Sequence, residues 1–201
     1  MFDHDDRKPE THGDKFFLIL FAMALIVLFG IEIADNFSPA KSGAILFVFF
    51  WVPMLVLHEL GHALVAKFFG WKLNEISLGF GTTITSFKAL GTTVKVNKFP
   101  LEGFVNCEPG SATYSNWKHA LIYFAGPGIE LIVVALIGAY LGFDNLFRPS
   151  TSYSVIALQS CAYAALVGAV MNLIPMSVKH GDGYSMSDGA GILACLFRLS
   201  D

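Results

Sequence analysis

Four long apolar stretches dominate the chain, and each is long enough to cross a membrane as a helix. A helix rises about 1.5 Å per residue, so roughly 20 apolar residues cover the ~30 Å hydrocarbon core of a bilayer. The stretches cover residues 16–34, 43–68, 118–142 and 153–174. The pattern predicts four transmembrane helices in a single membrane-embedded domain, residues 16–199, preceded by a polar tail at residues 1–15.

Between the second and third stretches the pattern changes to a period of two. Residues 82–87 and 92–97 alternate around Lys88-Ala89-Leu90-Gly91, which is typical of a hairpin, and a third extended piece follows at residues 99–107. The sequence therefore predicts an α-helical polytopic membrane protein with a small membrane-associated β-hairpin or sheet, about residues 72–107, between helices 2 and 3.

Composition supports a membrane protein and argues against two other classes. Hydrophobic residues make up 54% of the 201 residues and charged residues only 14%, which is too apolar for an ordinary soluble domain. The net charge is −3 and the 13 basic residues are spread along the chain, so a nucleic-acid partner is not expected. The three cysteines show no C-x-x-C spacing, which argues against a disulfide framework.

The basic residues also predict the orientation in the membrane. With the N-terminus in the cytoplasm, eleven of the 13 Lys and Arg residues fall on the inner side, and only Lys41 and Arg148 fall outside. Cytoplasmic loops of membrane proteins carry this excess of positive charge. We therefore expect a multi-pass protein with both termini and the β region in the cytoplasm.

The second apolar stretch contains His58-Glu59-Leu60-Gly61-His62. Residues four apart lie on nearly the same face of a helix, so His58 and His62 can offer two imidazole nitrogens to one metal ion. Glu59 lies beside them, where a carboxylate can take a proton from an attacking water, as in zinc hydrolases. Ionisable groups inside a membrane helix are costly and are seldom present without a role. The stretch therefore predicts a catalytic zinc site within the membrane.

A catalytic zinc usually has three protein ligands, and the third must come from another part of the chain. The candidates after the fourth stretch are His180, Asp182 and Asp188. Asp188 opens a helical stretch, where it can be held and aimed inward. Asp182 lies between two glycines, where it can equally be a turn residue.

Several motifs together resemble the site-2 protease family of intramembrane zinc metalloproteases. The resemblance covers about residues 43–196, and the zinc helix is its first motif. The other matching segments are Leu78-Gly79-Phe80-Gly81 with Phe99-Pro100-Leu101-Glu102-Gly103-Phe104-Val105 for the family's β segment, Phe124-Ala125-Gly126-Pro127 for its A-G-P span, and Asn172-Leu173-Ile174-Pro175 with a later Asp-Gly for its N-x-x-P…D-G element.

The resemblance implies the rest of the site. Some relatives carry a longer Gly-rich insert that ends in S-D-G, which Ser187-Asp188-Gly189 matches, so Asp188 is the implied third ligand of one Zn²⁺ per chain. Asn172 is the implied catalytic hydrogen-bonding group for the substrate backbone or the oxyanion. The chain departs from the family at Glu130, where Asn is common, and in the late position of its aspartate.

The expected function is hydrolysis of a peptide bond in or near a transmembrane segment of another protein, with lipid as the other partner. A helical substrate must unwind locally, and the sheet edge between residues 92 and 105 can hold it as an added strand. The candidate residues for this contact are Thr93, Val94, Val96, Pro100 and Gly103. A purely structural hairpin that caps the helices is the alternative for this region.

Three other functions remain as alternatives: a structural metal site or simple histidine pair, a zinc-binding membrane scaffold that does not cut, and a metal transporter. The intramembrane setting and the matching Asp-Gly argue against the first. Glu59 argues against the scaffold and the transporter, since neither needs a base beside the metal. Paired repeats, which many transporters carry, are not evident in the sequence.

Overall fold

A computed structural model describes residues 27–109, apart from 29, 33 and 36, together with residues 115–180 and 183–197. At residues 178–180 and 183–185 it describes the backbone alone. Most of the first predicted span, the tail and Asp182 therefore lie outside the described residues.

Three long apolar helices form the frame of the described part. They are α1 (Ser42–Phe68), α2 (Asn116–Leu141) and α3 (Tyr153–Leu173). At about 1.5 Å per residue each is long enough to cross the ~30 Å hydrocarbon core, and each is apolar enough to do so. Their bounds lie within two residues of three predicted spans, and the mostly helical fold class is confirmed. Within the described residues there are three such helices rather than four.

The three helices pack against one another in all pairs, and small residues allow their backbones to approach closely. Gly61 of α1 faces α2 so closely that a Cβ there would lie 2.5 Å from the carbonyl oxygen of Ala125. Ala164 and Ala165 of α3 are fully buried against Met54. Large apolar side chains such as Val48 and Leu136 instead point outward, as expected for a surface that faces lipid.

A small, mainly antiparallel sheet follows α1 and is confirmed between the second and third predicted helices. Gly70 lies just after the end of α1, and its φ of +77° suits glycine. The Gly70 and Trp71 amides donate hydrogen bonds to carbonyl oxygens of the last turn of the helix. Strand β1 (Lys72–Ala89) then turns at Leu90 and Gly91 into β2 (Thr92–Glu108). Both turn residues have positive φ, which matches the twist of a tight hairpin.

Each of the two strands bends, so the sheet is built from four segments. Residues 83–89 pair with 92–97, as the hairpin prediction requires. Residues 92–97 also pair, through 93–96, with the first half of β1, and that half pairs on its other side with residues 99–108. The order across the sheet is therefore 83–89, 92–97, 72–80 and 99–108, and among the described residues the last segment has a pairing partner on one side only.

A second small hairpin leads into the final helix. Strands β3 (Ser177–His180) and β4 (Gly183–Met186) follow α3, and α4 (Asp188–Phe197) begins directly after them. A single helical turn at Phe143–Leu146 lies in the connection between α2 and α3. Helix α4 packs mainly on α2. Its first residue is thereby brought back to the centre of the three long helices.

Candidate metal centre

The two histidines of α1 lie one turn apart and point into the interior of the helix bundle. His58 is 4% exposed and His62 is 8% exposed. Their Nε2 atoms are 3.0 Å apart. His58 is ten residues from the end of α1, roughly 15 Å along the axis, so the pair lies deep in the helix rather than at its end.

The hydrogen-bond partners of the two Nδ1 atoms determine which nitrogen of each ring carries the hydrogen. The Nδ1 atom of His62 is 2.7 Å from the carbonyl oxygen of Ile122, which can only accept a hydrogen bond. The Nδ1 atom of His58 is 3.0 Å from Oε2 of Glu130, also an acceptor when ionised. Each Nδ1 therefore carries the hydrogen, and in the neutral ring each Nε2 presents a lone pair to the shared space.

Asp188 brings a carboxylate to the same space. Its Oδ2 atom is 3.1 Å from His58 Nε2, and its Oδ1 atom is 3.4 Å from His62 Nε2. The ligand atoms of these three residues all lie within 4.8 Å of one another. Asp188 thus takes the place expected of the third ligand, whereas Asp182 and the side chain of His180 lie outside the described residues.

Ser187 explains how Asp188 is aimed. Its hydroxyl donates to the carbonyl oxygen of Ile174 at 2.7 Å and accepts from the amides of Met176 and Ala190. The bond from Ala190 caps the start of α4, and the other two tie that start to the end of α3. Gly189 also lies directly against the carbonyl oxygen of Leu173. The first residue of α4 is therefore fixed in position and direction.

The donor set fits a zinc ion. Two nitrogen lone pairs and a carboxylate converge, and such groups repel unless a cation lies between them. Oδ2 of Asp188 is buried and makes no hydrogen bond with the described residues. Two imidazoles and a carboxylate form a common ligand set for a catalytic zinc, which keeps its fourth position open. Gly126 of α2 has no side chain and so leaves space for the ion, since a Cβ at this position would lie 2.7 Å from His58 Nε2.

Glu59 lies beside this centre and is 3% exposed. Its Oε2 atom is buried and makes no hydrogen bond with the described part of the chain. Gly103 of β2 packs directly on its carboxylate, where a Cβ would lie 2.6 Å from Oε1. A buried carboxylate with one unused oxygen is well placed to accept a proton from a water in the cavity.

A cavity of about 700 Å³ joins these groups. This is within the usual range for ligand sites. Its walls include the three candidate ligands, Glu59, Asn172, and residues 101–107 of β2. Asn172 donates one amide hydrogen to the carbonyl oxygen of Gly168 at 3.1 Å. A side-chain amide has a second hydrogen and a carbonyl oxygen, and on Asn172 these can serve a bound peptide.

The structure separates the five residues predicted to contact substrate. Gly103 lines the cavity. Thr93, Val94 and Val96 belong to the segment that pairs on both sides, so its main chain offers no free edge. Pro100 is exposed and does not line the cavity. The sheet edge beside the metal centre is the 99–108 segment. Within the described part of the chain this segment pairs only with the first half of β1, whereas residues 92–97 pair with both halves of β1.

Sequence reasoning gave no role to Glu130, Gly126 or Ser187, which all shape the site. The sequence did signal Glu130 as unusual, because a carboxylate within a membrane helix is costly. For Gly126 and Ser187 the roles depend on tertiary contacts, which the sequence alone does not reveal.

Comparison with known proteins identifies the family of this chain. The model of peptidase family M50 matches residues 44–147, slightly more than half of the chain. Zinc metalloprotease Rip1 of Mycobacterium tuberculosis is 31% identical over 127 residues, which cover 54% of this chain and 31% of Rip1. Rip1 of Mycolicibacterium smegmatis is 30% identical over 132 residues, covering 55% and 32%.

A protein of Thermotoga maritima is 32% identical over 117 residues, covering 56% of this chain and 23% of its own length. The matches thus span about a quarter to a third of these relatives. The three apolar helices together with the family match indicate a multi-pass membrane protein, and the grouped His58, His62 and Asp188 fit the zinc of such proteins. On the family match, the chain belongs to peptidase family M50, as the resemblance to the site-2 proteases predicts.

Proposed function

We propose that this chain is an intramembrane zinc metalloprotease that hydrolyses a peptide bond in or near a transmembrane segment of another protein. The observation that carries the proposal is the convergence of His58, His62, Asp188 and Glu59 on one cavity between three apolar helices. A scaffold or a transporter would need the metal ligands but would leave the buried Glu59 without a role.

The roles of the side chains follow from their positions. His58, His62 and Asp188 would hold the ion, which supplies Lewis acidity to the scissile carbonyl and to a nearby water when bound. Glu59 takes a proton from the attacking water and delivers it to the leaving amine, so that water is added across the C–N bond. Asn172 donates its second amide hydrogen to the developing oxyanion or to the substrate backbone.

The sheet edge can stabilise an unwound segment of the substrate. A transmembrane helix hides its peptide groups, and its cleavage site must become extended before a water can attack. Residues 101–107 line the cavity at the edge of the sheet, with Gly103 against Glu59. Main-chain hydrogen bonds to this edge would replace those of the substrate helix and place an extended segment beside the metal centre.

In this proposal both chain termini and the sheet lie in the cytoplasm. The support is the excess of Lys and Arg on that side, with only Lys41 and Arg148 outside. The substrate is then a membrane protein whose cleaved segment reaches the cavity from within the bilayer.

Mapping of new N-termini tests the proposal in a mixture of natural membrane proteins, so no single substrate has to be chosen in advance. Native membranes are incubated with the purified chain or with its Glu59→Gln variant, and new termini are identified by mass spectrometry. We expect termini that depend on Glu59 and fall within or close to apolar segments of about 20 residues. Termini confined to soluble loops, or no termini that depend on Glu59 from a zinc-loaded chain, would contradict the proposal.

A further inference from the structure

Glu130 is an ionisable residue in the middle of an apolar helix, and the proteolytic mechanism does not use it directly. It is 2% exposed and lies on α2. A carboxylate in such a place is costly unless it has a polar partner. Its Oε2 atom is 3.0 Å from Nδ1 of His58, the nitrogen that faces away from the metal space. The partner is therefore a candidate zinc ligand.

Helix α3 holds this carboxylate in place from the other side. Gly168 faces it so closely that a Cβ would lie 2.5 Å from Oε1 of Glu130. The carboxylate is thus enclosed between His58 on α1 and the backbone of α3. The carbonyl oxygen of the same Gly168 accepts the hydrogen bond of Asn172. Gly168 therefore contacts both Glu130, the partner of His58, and Asn172.

The two ligand imidazoles are supported differently. His62 donates to a neutral main-chain carbonyl, that of Ile122. His58 donates to a carboxylate, which is a stronger acceptor and raises the basicity of the ring nitrogen on the other side. A carboxylate behind His58 also adds a negative charge close to the cation. Of the two rings, His58 is therefore expected to be the stronger donor to a metal.

We propose that Glu130 is a positioning residue that fixes the tautomer and the ring orientation of His58 and thereby sets the zinc affinity of this chain. The inference rests on the metal site of the proposed function and extends it to a residue outside the ligand set. Partners of this kind typically change metal affinity by about 10–100-fold when they are replaced.

The test measures zinc affinity by competition with a chromogenic chelator in detergent. Glu130→Gln keeps the size of the side chain and removes its charge, and we expect it to bind zinc about 10–100-fold more weakly than the unmodified chain. Gly168→Ala leaves Glu130 present but forces its carboxylate away, so it should also weaken zinc binding. Glu102→Gln is the matched control, because Glu102 lines the same cavity, is exposed, and makes no hydrogen bond or ion pair with the described residues.

A second readout separates positioning from general loss of structure. With Co²⁺ in place of zinc, the visible spectrum should change in Glu130→Gln and stay unchanged in Glu102→Gln, since only the first variant alters the donor strength of His58. The zinc-free forms of both variants should melt at the temperature of the unmodified chain. A purely structural role would lower that melting temperature and leave the cobalt spectrum of the folded fraction as it was.

The outcomes distinguish this inference from the proposed function. If the unmodified chain binds about one zinc and Glu130→Gln binds it equally well, the positioning role is wrong and the protease proposal stands. If the unmodified chain binds no zinc, both are wrong. Weaker zinc binding with a changed cobalt spectrum in Glu130→Gln, and neither change in Glu102→Gln, would support the inference.

Discussion

Glu59→Gln is expected to lose hydrolysis by about 10²–10⁴-fold in kcat while it keeps one zinc per chain. General acid–base groups contribute rate factors of this size. The glutamine has the same shape as the glutamate, so the packing against Gly103 should survive. Its neutral amide cannot accept the proton of the attacking water. The measurement is the cleavage rate of a substrate identified from the membrane experiment, with zinc content determined on the same samples.

The control for this variant is Glu75→Gln. Glu75 lies in the first half of β1, where it forms an ion pair with Lys95 at 2.7 Å, and it does not line the cavity. This pair is partly exposed to solvent, and such surface pairs contribute little to stability, so the rate should stay close to that of the unmodified chain. Cleavage by zinc-loaded Glu59→Gln at a rate similar to this control would remove Glu59 from the mechanism.

Gly126→Ala is expected to abolish zinc binding while the helix stays intact. The backbone of α2 lies directly over the two ligand nitrogens, and a methyl group there would lie 2.7 Å from His58 Nε2 and still closer to Nε2 of His62. It would fill the space in which the ion must lie. Alanine is favoured over glycine in a helix by about 1 kcal/mol, so α2 itself should not be weakened. Zinc content after dialysis measures the effect.

Gly43→Ala provides the matched comparison on α1. A Cβ at Gly43 would make only contacts of 3.4 Å, with Ile156 and Ser160, far from the metal centre. This variant should keep about one zinc per chain. Full zinc binding by Gly126→Ala would mean that the ion is held elsewhere than between the histidines and α2.

The parts of the fold that were predictable are those written in local patterns. Length and hydropathy give α1, α2 and α3 within two residues, and the period of two gives the hairpin at residues 83–97. The bend in each strand was not predictable, because it arises from pairing between distant segments. As a result the sequence placed the substrate edge partly on Thr93, Val94 and Val96, which lie inside the sheet.

In the metal site, too, some residues follow from local patterns and others depend on contacts between distant segments. His58 and His62 follow from helix periodicity alone, and Glu59 follows from its place between them. The sequence alone favoured Asp188 over Asp182 because Asp188 opens a helical stretch, and the resemblance to a known family strengthened that preference. Its approach to the histidines was not visible in the sequence, since it depends on Ser187 tying α4 to the end of α3. Glu130 was visible as an unusual charge, but its partner on another helix was not.

The most direct test of the three-residue metal site is the zinc content of the purified chain and of two aspartate variants, Asp188→Ala and Asp182→Ala. We predict about one zinc per unmodified chain, loss of the zinc in Asp188→Ala, and its retention in Asp182→Ala. The physical reason is that Asp188 brings its carboxylate within 3.1 Å of His58 Nε2. An unmodified chain that holds no zinc after supplementation, or Asp188→Ala that keeps its full zinc, would contradict the metal site on which the proposed protease activity depends.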